Sequence, residues 1–168
     1  MNVKHLQRYH AKTFKGLEPV LARELEALGA TEIKEGNRGV DFSGSLSLLY
    51  KSNFCLRTAL RILAPLRSFH AKNEQELYRA IGKIDWGEIM DNRKTFAIDT
   101  AVFSEVFRNS HFVALKCKDA IVDQFRERTG LRPSVDLDKP DIRINIHCSR
   151  DRFLVSLDSS GAPLFKRG

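Results

Sequence analysis

The sequence predicts an α+β protein built from two modules, a ferredoxin-like βαββαβ unit followed by a unit with the element order ααβαββ. Two observations support this fold class. Apolar residues alternate between the two-residue repeat of strands and the 3.6-residue repeat of helices along the chain. Glycine or proline stands at several of the junctions, where it favours a turn or ends a helix. With 168 residues, of which 42% are hydrophobic, the chain is also long enough to bury a core.

The first module is predicted to contain a strand, a helix, a hairpin, a second helix and a long last strand. These elements cover residues 9–14, 17–28, 31–34 with 40–43, 46–54 and 56–69. Leucines at helical spacing face one side of the first helix, which Gly29 ends, and Ser45 is placed to cap the second. The long strand alternates, so it would carry Arg57, Arg61 and Arg67 on one face, provided that Pro65 lies at an edge or bulge.

The second module is predicted to begin with two helical segments, continue with a strand and a long helix, and finish with a hairpin. The segments cover residues 74–81, 85–89, 95–102, 110–129 and 142–147 with 153–157. In its first helix Leu77, Tyr78 and Ile81 are expected to face inward. No Gly/Ser/Pro-rich spacer interrupts the chain. We therefore expect one domain over residues 1–69 and a second over 70–168, closely packed, with the strand at 56–69 shared.

The helix over 110–129 is the clearest element of the sequence. Ser110 is placed to cap its amino end, and Gly130 with Pro133 gives a matching stop. The periodicity predicts a core-facing stripe with two flanking residues. The stripe contains Ala114, Cys117, Ile121 and Phe125, and the flanks are Leu115 and Val122. Lys118 falls inside this face, so its ammonium must either reach past an apolar wall to solvent or point into a ligand groove.

The charge and composition of the chain limit the kinds of partner that it is expected to bind. The formal net charge is +7 and the sequence pI is about 9.5, which is compatible with a polyanionic partner and equally with an ordinary basic protein. No segment approaches the roughly 20 apolar residues of a membrane span, and the first residues lack a secretory apolar run, so we expect a cytoplasmic protein that binds no membrane. Neither the three cysteines nor the five histidines show metal-ligand spacing, so no metal is expected.

Several blocks in one order resemble the THUMP domain and, more closely, the amino-terminal region of the large-subunit ribosomal RNA guanine-N2 methyltransferases, a group often labelled adenine-N6 DNA methylases. The blocks are Phe14-Lys15-Gly16-Leu17-Glu18, Val40-Asp41-Phe42-Ser43-Gly44, the run Leu-Lys-Cys-Lys-Asp-Ala-Ile-Val-Asp-Gln-Phe-Arg over 115–126, Arg132-Pro133-Ser134-Val135-Asp136, Pro140-Asp141-Ile142-Arg143-Ile144, Ser156-Leu157-Asp158-Ser159-Ser160-Gly161 and Lys166-Arg167-Gly168. The front blocks resemble that family's ferredoxin-like unit. The resemblance covers nearly the whole chain from about residue 9.

The resemblance implies a module that captures ribosomal RNA and presents it to a carboxy-terminal methyltransferase domain that binds S-adenosylmethionine and lies outside this chain. The sequence agrees that the chain itself does not catalyse methyl transfer. None of its ten glycines forms a Gly-x-Gly pair, and none of its five prolines adjoins another, whereas such a site needs a glycine-rich turn for the cofactor and an Asn/Asp-Pro-Pro-Tyr/Phe cluster for the base. We thus expect neither a catalytic residue nor a cofactor in this chain.

The residues expected to contact RNA lie along the long helix and just beyond it. They are Asn109, Ser110, Lys116, Lys118, Arg128, Arg132 and Pro133. Each has a structural alternative: Ser110 caps the helix, Arg126 and Arg128 complement the helix dipole in the last turn, and the Arg57, Arg61 and Arg67 row is an ordinary solvated sheet face.

Two other functions remain open at this stage. A protein-interaction module without RNA affinity would use the same fold to contact a carboxy-terminal partner domain. A ferredoxin-like unit with Arg57 and with Asn53 or Asn109 is also compatible with a small phosphohydrolase of the acylphosphatase kind, although no phosphate-cradling loop is evident.

Overall fold

The computed structural model describes residues 6–159. The terminal blocks Ser160-Gly161 and Lys166-Arg167-Gly168, which contributed to the resemblance, lie outside the described residues. The described chain divides into two compact units. Unit 1 contains residues 6–65 together with 158 and 159, and unit 2 contains Leu66–Leu157. The predicted boundary between residues 69 and 70 stays a prediction.

Unit 1 has the predicted βαββαβ order. Its elements are β1 (Gln7–Lys12), α1 (Glu18–Leu28), β2 (Thr31–Gly36), β3 (Gly39–Gly44), α2 (Leu46–Cys55) and the first half of β4 (Arg61–His70). The strand order is β2-β3-β1-β4, and every neighbouring pair is antiparallel. This is the arrangement of a split βαβ fold, so the ferredoxin-like fold class is confirmed. The two helices and the sheet enclose a core that includes Tyr9, Leu21, Leu25, Phe42 and Leu49.

Local signals in unit 1 act as the sequence predicts. Gly29 ends α1 in the left-handed conformation, with φ of 98°, which glycine adopts without steric cost. The Ser45 hydroxyl accepts a hydrogen bond from the Leu48 amide at 3.2 Å and so caps α2.

The predicted start of the long strand at residue 56 is wrong, because β4 begins only at Arg61. The preceding segment is held by contacts outside a strand ladder: the Arg57 amide donates to Glu24 Oε2 at 2.8 Å, and the Leu60 amide donates to the Lys12 carbonyl at 2.8 Å. The three-arginine face is therefore not formed. Pro65 lies within β4, and the consecutive residues 62–64 are all buried, which breaks the predicted alternation.

Unit 2 contains three helical segments and four complete or nearly complete strands, besides the second half of β4. They are α3 (Glu74–Gly82), a 3-10 helix (Trp86–Glu88), β5 (Thr95–Phe103), α4 (Ser110–Thr129), β6 (Ser134–Val135), β7 (Ile142–Ser149) and β8 (Arg152–Asp158). The strand order is β8-β7-β5-β6. β8 is antiparallel to β7, as predicted for the hairpin, and β5 is parallel to both β7 and β6.

The long helix α4 is capped one residue earlier in the chain than predicted. The Asn109 side chain, not Ser110, accepts the hydrogen bond from the Phe112 amide at 3.2 Å, so the prediction of Ser110 as the cap is wrong. Asn109 has the extended backbone that a capping residue needs, whereas Ser110 already belongs to the first turn. At the other end Gly130 is left-handed, with φ of 74°, and the last turn carries Arg126 and Arg128 as predicted.

The buried face of α4 agrees with the predicted stripe at Cys117, Ile121 and Phe125 but also includes Val113 and Gln124. Leu115, predicted at the flank, is 42% exposed. Gln124 is buried because its amide group is fully engaged. Its Oε1 accepts from the Trp86 amide at 3.0 Å, and its Nε2 donates to the carbonyls of Gly82 and Ile84 at 2.9 and 2.6 Å.

Strand β6 was not predicted, since two residues carry no periodic signal. It forms because Ser134 and Val135 continue the sheet beside Thr95 and Phe96. None of the helices within residues 6–159 has the length and apolar content that a membrane crossing requires.

Candidate functional site

A cleft of about 610 Å³ lies in unit 2 along the outer side of α4. We call it the α4 cleft. Its walls come from α3, from α4 and from the segment that leads into β6. The lining residues are Tyr78, Lys116, Lys118, Asp119, Val122, Asp123, Arg126, Arg132, Pro133, Ser134 and Val135. A helix face and an edge strand thus form one concave surface of mixed charge.

Four of the seven predicted contact residues line this cleft. They are Lys116, Lys118, Arg132 and Pro133. Lys118, the lysine within the predicted apolar face, is 37% exposed at its side chain and lines the cleft. Gly130 ends the helix two residues before Arg132, and this turn brings the arginine back beside the helix.

The other three predicted residues do not line the cleft. The Arg128 guanidinium donates a hydrogen bond to Asp85 Oδ1 at 2.7 Å, outside the cleft. Asn109 caps α4, and the Ser110 carbonyl accepts a hydrogen bond from Thr100 Oγ1 at 3.2 Å. The sequence predicted Arg128 as an RNA contact near the end of the helix, but Asp85, which lies 43 residues earlier in the chain, holds its guanidinium outside the cleft.

Most cations of the α4 cleft have a carboxylate beside them. Lys116 Nζ lies 3.7 Å from Glu74 Oε2, and Lys118 Nζ lies 3.6 Å from Asp119 Oδ1. Arg126 and Asp123 form a closer pair at 2.8 Å. Among the residues that the structure describes, no ion pair is found for Arg132. The four cations and two carboxylates of the lining leave a formal charge of +2.

Tyr78 and Asp123 are cleft residues that sequence reasoning did not find. The prediction that Tyr78 faces inward is wrong: Leu77 and Ile81 are buried, while Tyr78 is half-buried and its hydroxyl donates a short hydrogen bond to Asp123 Oδ2. This hydrogen bond to a carboxylate, with a contribution from desolvation, raises the pKa of Tyr78 to about 12. The aromatic residue at the flank of the apolar stripe was the available signal.

A second cavity, of about 750 Å³, adjoins the α4 cleft. We call it the α3 cavity. Its lining residues are Asn73, Glu74, Gln75, Tyr78, Arg79 and Lys116. Tyr78 and Lys116 therefore line both cavities.

The arrangement suits binding by charge and surface contact. Lysine and arginine side chains with an aromatic ring in a concave site can hold phosphates and planar groups. Within residues 6–159, no group of three or more His, Cys, Asp or Glu side chains is placed to hold a metal ion.

The residues considered for phosphohydrolase chemistry have other contacts. The Asn53 amide donates to the Leu49 carbonyl and to Ser159 Oγ, both at 3.1 Å. Arg57 lies in the irregular segment before β4, and Asn109 belongs to unit 2. In this structure Asn53 and Asn109 both have structural hydrogen bonds.

Comparison with known families accounts for this architecture. The model of the THUMP domain matches residues 71–158, which is more than half of the chain. The chain belongs to the THUMP domain family. The model of the RlmL ferredoxin-like domain matches residues 8–63, ahead of the THUMP domain. The α4 cleft and the α3 cavity both lie within the THUMP match, whereas the ferredoxin-like match coincides with the βαββαβ order of unit 1.

Relatives of this THUMP protein are much longer. The chain is 45% identical over 161 residues to the ribosomal RNA large subunit methyltransferase K/L of Syntrophotalea carbinolica. The aligned region is 96% of this chain but only 23% of that relative. It is 44% identical over 160 residues to the protein of the same name from Methylococcus capsulatus, and here the aligned region is 95% of this chain and 22% of the relative. A solved structure, that of a possible methylase from Clostridium difficile 630, matches with a TM-score of 0.79 and 28% identity, covering 97% of this chain and 44% of that one.

Proposed function

We propose that this chain is the RNA-binding part of a longer S-adenosylmethionine-dependent ribosomal RNA guanine-N2 methyltransferase, a cytoplasmic enzyme. It would capture a ribosomal RNA segment and present it to a carboxy-terminal methyltransferase domain. The observation that carries the proposal is the convergence of Lys116, Lys118 and Arg132 in one cleft of the THUMP domain. The names of the relatives at 44–45% identity support ribosomal RNA as the substrate class.

In this proposal the cations contact phosphates. Arg132 presents a planar guanidinium that can hold two phosphate oxygens at once, and Lys118 acts as a point charge. Lys118 and Lys116 are each about 3.6–3.7 Å from a carboxylate, too far for a strong hydrogen bond, so a phosphate can compete for them. Pro133 limits the backbone of Arg132 to extended conformations, which keeps the arginine side chain near the cleft.

We place S-adenosylmethionine and catalysis outside these residues. A glycine stands at two strand-to-helix junctions of unit 1, Gly16 after β1 and Gly44 as the last residue of β3. A Cβ at Gly44 would lie 2.0 Å from Leu48 Cδ2, so a side chain already fills that space. The Gly16 amide already donates to Glu18 Oε2 at 2.7 Å, so it is engaged within the loop. These two contacts support the placement of the cofactor in another part of the enzyme.

The proposal is tested by the salt dependence of binding of the full chain to a ribosomal RNA fragment. We expect the logarithm of the binding constant to fall with the logarithm of salt concentration by about 0.7 per phosphate neutralised on single-stranded RNA. Lys118→Ala and Arg132→Ala should each weaken binding and reduce that slope by about 0.7. Arg128→Ala is the matched control, since it removes a cation that does not line the cleft.

Two results would contradict the proposal. Equal, salt-insensitive retention of RNA and of a neutral polymer would favour a protein-interaction module. Hydrolysis of an acyl phosphate that disappears in Arg57→Ala would favour the phosphohydrolase.

A further inference from the structure

Tyr78 occupies the junction between the two cavities of unit 2. It is half-buried, lines both the α4 cleft and the α3 cavity, and shares that position with Lys116. Each cavity is within the size range of small-molecule sites, at about 610 and 750 Å³. An extended ligand that used both cavities could contact the Tyr78 side chain from either one.

The Tyr78 side chain is held by two other residues that line the α4 cleft, Asp123 and Arg126. Its hydroxyl donates to Asp123 Oδ2, and the second oxygen of the same carboxylate accepts from the Arg126 guanidinium at 2.8 Å. Asp123 is thereby held between an α3 and an α4 residue, and it holds Tyr78 in turn. A ring that is already ordered loses little side-chain entropy when a ligand packs on it, so its contact energy is retained in the binding free energy.

Cations lie close to this fixed ring. Lys116 lines both cavities with it, and Lys118 and Arg132 line the α4 cleft. A single-stranded nucleic acid alternates charged phosphates with planar bases, and proteins bind it with cations and aromatic faces in one groove. Double-stranded nucleic acid keeps its bases stacked within the helix, so it offers no free base to such a ring.

Building on the proposed function, we infer that Tyr78 is a stacking platform for an unpaired RNA base, and that Asp123 is the residue that positions it. The base lies on the ring at the junction, and its neighbouring phosphates reach Lys116 on one side and the Lys118 and Arg132 pair on the other. A purely structural Tyr78, which only ties α3 to α4, would depend on the hydroxyl. A stacking Tyr78 depends on the ring.

The experiment compares Tyr78→Phe, which keeps the ring, with Tyr78→Leu, which removes it. Binding of the full chain is measured with a single-stranded RNA oligonucleotide carrying 2-aminopurine, whose fluorescence is quenched by stacking. We expect Tyr78→Leu to weaken binding about 5- to 150-fold, which corresponds to the roughly 1–3 kcal/mol of a base stacked on an aromatic side chain, and to relieve the quenching. The salt slope stays at the wild-type value, because no cation is removed. Tyr78→Phe keeps most of the affinity.

The outcomes separate this inference from the proposed function. Wild-type affinity and slope in Tyr78→Leu, or equal losses in Tyr78→Phe and Tyr78→Leu, overturn the stacking role while RNA binding stands. Absence of quenching on binding to the wild-type chain overturns it as well, and this measurement holds even if Tyr78→Leu does not fold. Absence of any salt-dependent binding by the wild-type chain removes the proposed function itself.

Discussion

The Arg128 guanidinium lies 2.7 Å from Asp85 Oδ1 and joins the last turn of α4 to the 3-10 helix region of unit 2. Both side chains are about half exposed, so water screens the pair and limits its contribution. We expect Arg128→Ala to lower the free energy of unfolding by about 0.5–1 kcal/mol, including the lost interaction with the helix dipole. Urea unfolding of the wild type and of Arg128→Ala measures this difference in the free energy of unfolding.

The same variant should bind RNA with the wild-type affinity and salt slope, because Arg128 lies outside the cleft. A slope reduced as much as that of Arg132→Ala would show instead that Arg128 leaves Asp85 to contact phosphate.

Glu74 competes with RNA for Lys116. The two charged groups lie 3.7 Å apart, and Glu74 lines the α3 cavity. Glu74→Gln removes this competing charge and a source of repulsion toward phosphates. We expect RNA affinity at low salt to rise by up to about 5-fold, since a pair of unit charges at this distance in water is worth about 1 kcal/mol. Glu88→Gln is the control, because it removes an equal charge that lines neither cavity. An equal gain in both variants would mean that only net charge matters.

Gln124 fixes the segment between α3 and the 3-10 helix onto α4. Its buried amide satisfies the Trp86 amide and the carbonyls of Gly82 and Ile84. Gln124→Leu leaves these three backbone groups without their partner, and we expect a loss of about 2–4 kcal/mol in the free energy of unfolding. Gln75→Leu, at an exposed position of α3, should change it by less than about 0.5 kcal/mol. Similar unfolding curves for the two variants would contradict this role for Gln124.

The pH dependence of stability should report the hydrogen bond between Tyr78 and Asp123. The pKa of the Tyr78 hydroxyl is raised from 10.0 to about 12 in the folded chain, so folding favours the protonated phenol. Its contribution to stability is complete below pH 10 and is lost as the pH rises through about 12. Wild type should therefore lose more stability than Tyr78→Phe over this interval, measured by urea unfolding. Parallel pH profiles would show that the hydrogen bond does not stabilise the fold.

The sequence by itself determined the order of the elements and most of their ends. Capping by Ser45, the left-handed ends at Gly29 and Gly130, and the repeats of α1 and α4 all act within a few residues, so they can be recognised without knowing the fold. The resemblance to the THUMP domain was also in the sequence, because several blocks occur in one order. Lys118 was recognised as unusual because a charge interrupted an apolar helical face.

Only the tertiary structure decided which side chains meet. Arg128 is held by Asp85 and Tyr78 by Asp123, each about 45 residues distant in the chain, and no local pattern specifies such a partner. Strand β6 exists because β5 offers it an edge. The strand predicted from residue 56 begins only at Arg61, and the Arg57 and Leu60 amides before it donate to Glu24 and Lys12. Periodicity fixes the direction of a side chain around its own helix, whereas the composition of a cleft depends on what other elements bring against that face.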